Sequence, residues 1–152
     1  MFERYTEKAR RVIFFARRET LQHGSQVISP EHLLVGLLCA DEKLLERYLP
    51  VPNSLTVEDV RREVEERVVL REQIPQSAEL NLAPETKQIL AFANEESLRL
   101  KNRHIETEHL LLGLLSDEHS IAAEILFRHG LRLQNLRETV ARKIGFPLFD
   151  II

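Results

Sequence analysis

The clearest hydrophobic pattern along the chain is a short apolar segment that occurs twice. Residues 31–38 read Glu-His-Leu-Leu-Val-Gly-Leu-Leu, and residues 108–115 read Glu-His-Leu-Leu-Leu-Gly-Leu-Leu, 77 residues later. Within each copy the leucines recur at positions i, i+1, i+4 and i+5, which is the spacing of a buried helix face. A repeat of this length and register predicts that the chain consists of two related halves.

Apolar positions at helical spacing also surround both copies. The first stripe comprises Ala9, Val12, Ile13, Ala16 and Thr20 within residues 6–23, and it recurs at the same offset as Thr86, Ile89, Leu90, Ala93 and Ser97. Further helices are expected over 41–49, from 56 or 57 onward, around 121–126 and over 133–144. The valine-rich stretch after residue 56 has helical spacing, so we expect no strands.

These helices predict an all-α fold, a pseudo-twofold eight-helix bundle made of two four-helix repeats. We expect one unit over residues 1–152, with repeat one at about 2–70, a linker at about 71–81 and repeat two at about 82–145. The apolar residues 146–152 are expected to fold back onto the bundle, or alternatively to dock on another protein.

The starts of the repeated helices carry capping signals. Thr6 is an expected N-cap of the first helix, and Ser29 is an expected N-cap followed by Pro30 at the first helical position. In the second copy the cap could be either Glu106 or Thr107. Glycine inside both apolar helices, at 36 and 113, predicts that another helix crosses closely there.

Composition excludes several classes of protein. The chain has 152 residues, 21 basic and 24 acidic side chains and a net charge of −3, so it lacks the basic excess of a nucleic-acid-binding protein. It contains no apolar stretch long enough to span a membrane. Its single cysteine, Cys39, excludes an internal disulfide and fits a cytoplasmic location.

No motif in the sequence predicts catalysis, a cofactor or a metal site. The chain lacks the glycine-rich phosphate loop, the dinucleotide-binding glycine motif and the nucleophile elbow, so we expect no ATP binding and no enzyme activity. His104, Glu108 and His109 match a zinc motif only loosely because one extra residue intervenes. Cys39 is expected to be structural, and the histidines at 23, 119 and 129 are expected to face solvent.

The paired Glu-His steps, at 31–32 and 108–109, are the remaining candidates for a site. Each histidine is expected to be buried and bonded to a neighbouring backbone or hydroxyl group. Each glutamate lies where the helix dipole should hold it ionised, which makes it a poor general acid. Beside free helix N–H groups it could receive a cation and an anion side by side, or it could only stabilise its own helix.

Three segments together resemble the N-terminal domain of Clp/Hsp100 unfoldases, with the ClpC branch as the nearest type. They are residues 1–9 (Met-Phe-Glu-Arg-Tyr-Thr-Glu-Lys-Ala), the twice-repeated EHLL-x-GLL helix, and residues 121–126 (Ile-Ala-Ala-Glu-Ile-Leu). The resemblance covers residues 2–144 and implies a pseudo-twofold eight-helix bundle that recruits substrates and adaptors to an ATP-driven ring. The ATPase modules of that family are absent from this sequence, and the apolar chain end favours a free-standing protein over a fragment.

The resemblance implies a protein-binding module for clients or adaptors of Clp-type ATP-dependent proteolysis. The alternative is a stand-alone regulator that docks on a Clp unfoldase and competes with its N-domain. Expected partners are therefore protein clients or adaptors, or a Clp unfoldase, with no nucleic acid, membrane or cofactor, and the chain is expected to be a monomer.

The ClpC-like members recognise phosphorylated arginine at the start of each repeated helix, and the residues that correspond here are Thr6, Glu31, Thr107 and Glu108. By comparing equivalent positions, we pair Thr6 with Glu31, and Ala83, which replaces the second threonine, with Glu108. That pairing predicts weak binding at both sites, with the Glu31 site the tighter of the two.

Overall fold

The computed structural model describes residues 2–49 and 55–145 and confirms the all-α bundle. Within these residues the chain forms eight helices: α1 (Glu7–Gln22), α2 (Pro30–Ala40), α3 (Leu44–Tyr48), α4 (Val57–Glu65), α5 (Pro84–Arg99), α6 (Thr107–Ser116), α7 (Ile121–Arg128) and α8 (Leu133–Lys143). None of these helices is both long and apolar enough to cross a membrane. The apolar chain end at 146–152 lies outside the described residues.

The helix starts follow the capping signals in the sequence. The Thr6 hydroxyl accepts a hydrogen bond from the Ala9 N–H at 3.2 Å and so caps α1. Ser29 precedes α2 with Pro30 at its first position, as expected. At the second copy Glu106 is the cap and Thr107 is the first helical residue, which decides between the two alternatives.

Helices α2 and α6 form the centre of the core and pack against each other. Their leucines are fully buried, and α1 packs along α2 as α5 packs along α6. A Cβ atom on Gly36 would lie 2.6 Å from the Val12 carbonyl oxygen, and one on Gly113 would lie 2.5 Å from that of Ile89. The predicted close crossings are therefore confirmed at both glycines.

The expectation of no strands is wrong for two short segments. Strand β1 (Val27–Ile28) pairs in parallel with β2 (Asn81–Leu82), and Tyr5 forms a single bridge with Ile105. Each pairing joins the segment before a helix of one half to the segment before a helix of the other. Two residues are too short to show a period, so the pairing leaves no pattern in the sequence.

The expected third helix, 41–49, is also too long. The Asp41 N–H donates to the Leu37 carbonyl and ends α2, and α3 begins only at Leu44. The Asp41 side chain is buried with 4% of its surface exposed, because it belongs to a polar cluster at the start of α6. The residue that looked like a helix start is therefore part of a candidate site.

Candidate functional site

Thr6 and Glu31 lie at opposite ends of α1, so the pairing within halves is wrong. Helix α1 has 16 residues and is about 24 Å long at 1.5 Å per residue. Glu31 lines a cavity with His23, which follows the end of α1. At the other end of the helix, the Thr6 N–H donates to the Ile105 carbonyl just before α6.

Each site therefore combines helix starts from both halves. The Ala83 N–H donates to the Ile28 carbonyl and thereby places the start of α5 beside the start of α2. We call the α2 site the group Ser29, Pro30, Glu31 and Ala83, and the α6 site the group Thr6, Glu106, Thr107 and Glu108. Both threonines expected from the family belong to the α6 site, and neither belongs to the α2 site.

An arginine of the chain itself occupies the α6 site. Arg47, on α3, makes a bidentate hydrogen bond to Asp41, with Nη2–Oδ2 at 2.7 Å and Nη1–Oδ1 at 3.2 Å. Its Nη2 also lies 3.7 Å from Glu108 Oε1. The Thr107 hydroxyl lies 2.7 Å from Asp41 Oδ2 and 3.0 Å from Glu108 Oε1, so two carboxylates, one hydroxyl and one guanidinium form a single cluster.

Hydrogen bonds and charges offset the burial of the ionisable groups in this cluster. Burial alone would raise the pKa of Asp41, but hydrogen bonds from Arg47 and Thr107 hold it below its usual value. Burial, assisted by the negative charge of Glu108, raises the pKa of the neighbouring Tyr48. Lys143 Nζ lies 3.4 Å from the Tyr48 hydroxyl, so a second cation borders the same face.

The α2 site is open. A cavity of about 410 Å³ lies at Glu31, and its lining includes His23, Ser29, His32, Val68, Val69 and Arg71. A second cavity of about 280 Å³ reaches Glu31 from the side of Asp117 and Glu85. Among the described residues, Glu31 has no basic side chain within ion-pair distance. Burial raises the pKa of Glu31 and outweighs the backbone hydrogen bond at the helix start, which lowers it.

The paired histidines are structural, as expected. His32 Nδ1 accepts a hydrogen bond from the Ser29 N–H at 3.1 Å, and His109 Nδ1 accepts one from the Glu106 N–H at 2.9 Å. Both bonds tie the third helical residue to its own cap. Burial lowers the pKa of each histidine to about 4, which keeps the ring neutral and Nδ1 available as an acceptor.

Two of the three histidines expected to face solvent do not. His23 is 5% exposed, and its Nε2 lies 3.2 Å from Glu19 Oε2. His129 Nε2 lies 2.8 Å from Glu63 Oε2, whereas His119 is exposed. The spacing of Glu19 and His23, four residues apart on a helix, was the signal that could have placed His23 beside a carboxylate.

Other chemistry is sparse in the described part of the chain. Within residues 2–49 and 55–145, no three His, Cys, Asp or Glu side chains converge as a metal site would require. The Cys39 thiol is half-buried, and burial raises its pKa, which disfavours the reactive thiolate. The two helix starts thus remain the candidate sites.

Comparison with known proteins shows which protein family the chain belongs to. The family model for the Clp repeat (R) N-terminal domain matches residues 4–128 and 81–146. The chain belongs to this family.

The similar proteins are much longer than this chain. It is 37% identical over 145 residues to an ATP-dependent Clp protease ATP-binding subunit ClpA homolog of Cyanidium caldarium, which covers 95% of the chain and 17% of that protein. It is 30% identical to the negative regulator of genetic competence ClpC/MecB of Bacillus subtilis (strain 168), over 95% of the chain and 18% of the relative. The chain therefore spans less than a fifth of the length of either relative.

A solved structure shares the fold. The N-terminal domain of the Caseinolytic protease associated chaperone ClpD from Arabidopsis thaliana superposes with a TM-score of 0.75 at 24% identity. The alignment covers 95% of this chain and 97% of that one. The eight-helix arrangement is thus that of a Clp N-terminal domain.

Proposed function

We propose that this Clp N-terminal domain is a protein-binding module that recognises clients or adaptors for Clp-type proteolysis through arginine side chains. The observation that carries the proposal is Glu31, a half-buried carboxylate in a cavity of about 410 Å³. His23 and Arg71 line the same cavity, but among the described residues no basic side chain lies within ion-pair distance of Glu31. A guanidinium from a client would supply the missing cation, with donors in a planar fork that fits a carboxylate.

The α6 site supports this choice of ligand by its own contents. Asp41 and Glu108 there already hold the guanidinium of Arg47, in a bidentate bond and a longer contact. Because α2 and α6 have nearly the same sequence and each begins with a glutamate at its second helical position, the same ligand chemistry suits Glu31.

Phosphorylation of the arginine adds an anionic phosphoryl group. The two sites have different hydrogen-bond donors for this group. At the α6 site the threonine hydroxyls of Thr6 and Thr107 and the Thr107 N–H lie at the helix starts. At the α2 site Pro30 has no N–H and Ala83 has no hydroxyl. We therefore expect the α2 site to bind mainly the cationic half of its ligand, so that phosphoarginine and arginine bind it with affinities within a few-fold of each other.

Calorimetric titration with free phosphoarginine and free arginine tests the proposal. We expect weak binding to the unaltered chain, a loss of about tenfold or more in Glu31→Ala, and less than about twofold change in Glu108→Ala, since one charge-assisted bond is worth about 1.5–3 kcal/mol. Glu95→Ala, an exposed carboxylate on α5, is the matched control. Absence of heat at millimolar ligand would contradict recognition of arginine.

The class of partner needs a second experiment. The chain, immobilised, is offered a native lysate with and without excess phosphoarginine. Recovery of many clients that free phosphoarginine displaces supports client recognition. Recovery of a Clp unfoldase alone would favour the alternative, a regulator that competes with the unfoldase's own N-domain.

A further inference from the structure

We propose that Arg47 determines which of the two sites accepts a ligand, because its guanidinium fills the α6 site from within the chain. The identity of the ligand from outside the chain rests on the proposed function. The occupancy of the α6 site by Arg47 does not depend on it. The α6 site is then an arginine site closed by the chain's own arginine, and the α2 site is the open one.

The contacts of Arg47 account for the closure. Two guanidinium nitrogens bond the two oxygens of Asp41, and Nη2 also lies 3.7 Å from Glu108 Oε1. Asp41 is buried and its Oδ2 is shared with the Thr107 hydroxyl. A second guanidinium at Glu108 would meet the positive charge of Arg47 and find the oxygens of Asp41 already bonded.

The α2 site has the corresponding carboxylates, but no arginine corresponding to Arg47 bonds them. Arg71, which follows α4, lines the larger cavity without lying within ion-pair distance of Glu31. Asp117 directly follows α6 and lines the 280 Å³ cavity at Glu31, just as Asp41 directly follows α2 and lies at Glu108. Asp41 and Asp117 are 76 residues apart, and the residues 76 and 77 positions after Arg47 are Ala123 and Glu124, on α7, neither of which is basic. The difference between an open and a filled site thus follows from the absence of an arginine at this place on α7.

Chemical rescue tests the occupancy without any client. Arg47→Ala removes the internal cation, so guanidinium chloride at low millimolar concentration should raise its melting temperature by about 2 °C or more relative to equal sodium chloride. All chains in this comparison carry Glu31→Ala, which removes guanidinium binding at the open α2 site. In this background the chain with Arg47 intact and the Arg11→Ala variant should show no such rise, since Arg11 pairs with Glu7 on the surface. The double variant Arg47→Ala/Glu108→Ala should show a reduced rise. Equal behaviour of Arg47→Ala and the controls overturns the proposal.

Ligand binding at the opened site is the second measurement. In Glu31→Ala, where the α2 site is disabled, adding Arg47→Ala should restore phosphoarginine binding by about tenfold or more. Adding Glu108→Ala should abolish it again. Guanidinium rescue without restored phosphoarginine binding supports the occupancy by Arg47 and contradicts only the proposed ligand. Absence of guanidinium rescue overturns the occupancy.

If Arg47→Ala does not fold, Arg47→Lys replaces it in both measurements. An ammonium group cannot make the bidentate bond to Asp41, so the α6 site should open in part. Arg47→Lys in the Glu31→Ala background should then bind phosphoarginine more tightly than Glu31→Ala alone. Equal affinities would contradict the proposal.

Discussion

The α2 and α6 sites begin with nearly the same helix and end in different states. At the α6 site, Thr107 and Glu108 contact Asp41 and Arg47, so the polar groups satisfy one another. At the α2 site, Glu31 lines cavities of about 410 and 280 Å³. The repeated helix therefore supplies the carboxylate at each site, whereas the neighbouring residues determine whether that carboxylate has a cationic partner.

Each repeated helix start has neighbours from the opposite half. The α6 start meets Thr6, Asp41 and Arg47 of the first half, and the α2 start meets Ala83 and Asp117 of the second. A residue that differs between the halves therefore changes the site of the other half.

The first test concerns the core that both sites share. Leu37 on α2 and Leu114 on α6 are both fully buried. Substitution of either by alanine removes the same buried atoms, so each should lower the free energy of unfolding by about 2–5 kcal/mol. Urea denaturation of the two variants measures this. A loss below about half a kcal/mol at either position would mean that the halves do not contribute equally to one core.

The second test uses the histidines that cap both helices. Burial lowers the pKa of His32 and His109 from 6.5 to about 4. As the pH falls, these two histidines therefore become protonated in the unfolded chain at a higher pH than in the folded chain. Between pH 6.5 and 5 each histidine should reduce the free energy of unfolding by on the order of 2 kcal/mol.

His32→Gln and His109→Gln provide the matched comparison. Glutamine can accept the same bond from the cap N–H but does not titrate. Each variant should show a flatter dependence of unfolding free energy on pH over this window, by a similar amount in both halves. An unchanged slope in either one would contradict a buried neutral histidine at that site.

The third test separates the sites. Thr107→Val keeps the shape of the side chain but removes its hydrogen bond to the buried Asp41, which should cost about 1–1.5 kcal/mol. Thr139→Val is the control, because the Thr139 hydroxyl bonds only the Asn135 carbonyl of its own helix. Similar small losses in both variants, measured by urea denaturation, would show that the α6 cluster adds no stability.

Much of this fold could be predicted from the sequence, for identifiable reasons. The repeat, the caps at Thr6 and Ser29, and the close crossings at Gly36 and Gly113 depend on residues that are near one another in sequence or recur at a fixed offset. Local hydrogen bonds and helical periodicity are the physical effects that such patterns report.

The arrangement of the site could not be predicted in the same way. Comparing the halves shows which positions are equivalent, but not which ones are neighbours. Thr6 was therefore paired with Glu31, although the two lie at opposite ends of α1, a helix about 24 Å long. The contact of Arg47 with Glu108 joins residues far apart in sequence, and the corresponding place on α7 holds no arginine that could have indicated it.

The last test exchanges the residues that cap the first helix of each half. Thr6→Ala removes the hydroxyl that accepts from the Ala9 N–H and should cost about 1 kcal/mol. Ala83 precedes α5 in the equivalent position and makes no side-chain cap. Ala83→Thr should therefore stabilise the chain by about 0.5–1 kcal/mol, because the new hydroxyl can cap α5.

Ala83→Thr also tests why the two sites should differ in affinity for the phosphoryl group of phosphoarginine. Ala83→Thr places a hydroxyl beside Glu31, so it should raise affinity for phosphoarginine by about three- to tenfold while leaving affinity for arginine unchanged. Calorimetry with both ligands measures the ratio. A rise for both ligands would mean that the threonine acts by ordering the helix start. A loss of stability in Ala83→Thr would mean that the buried Ala83 position has no room for the hydroxyl, and that the α2 site differs from the α6 site in packing as well as in donors.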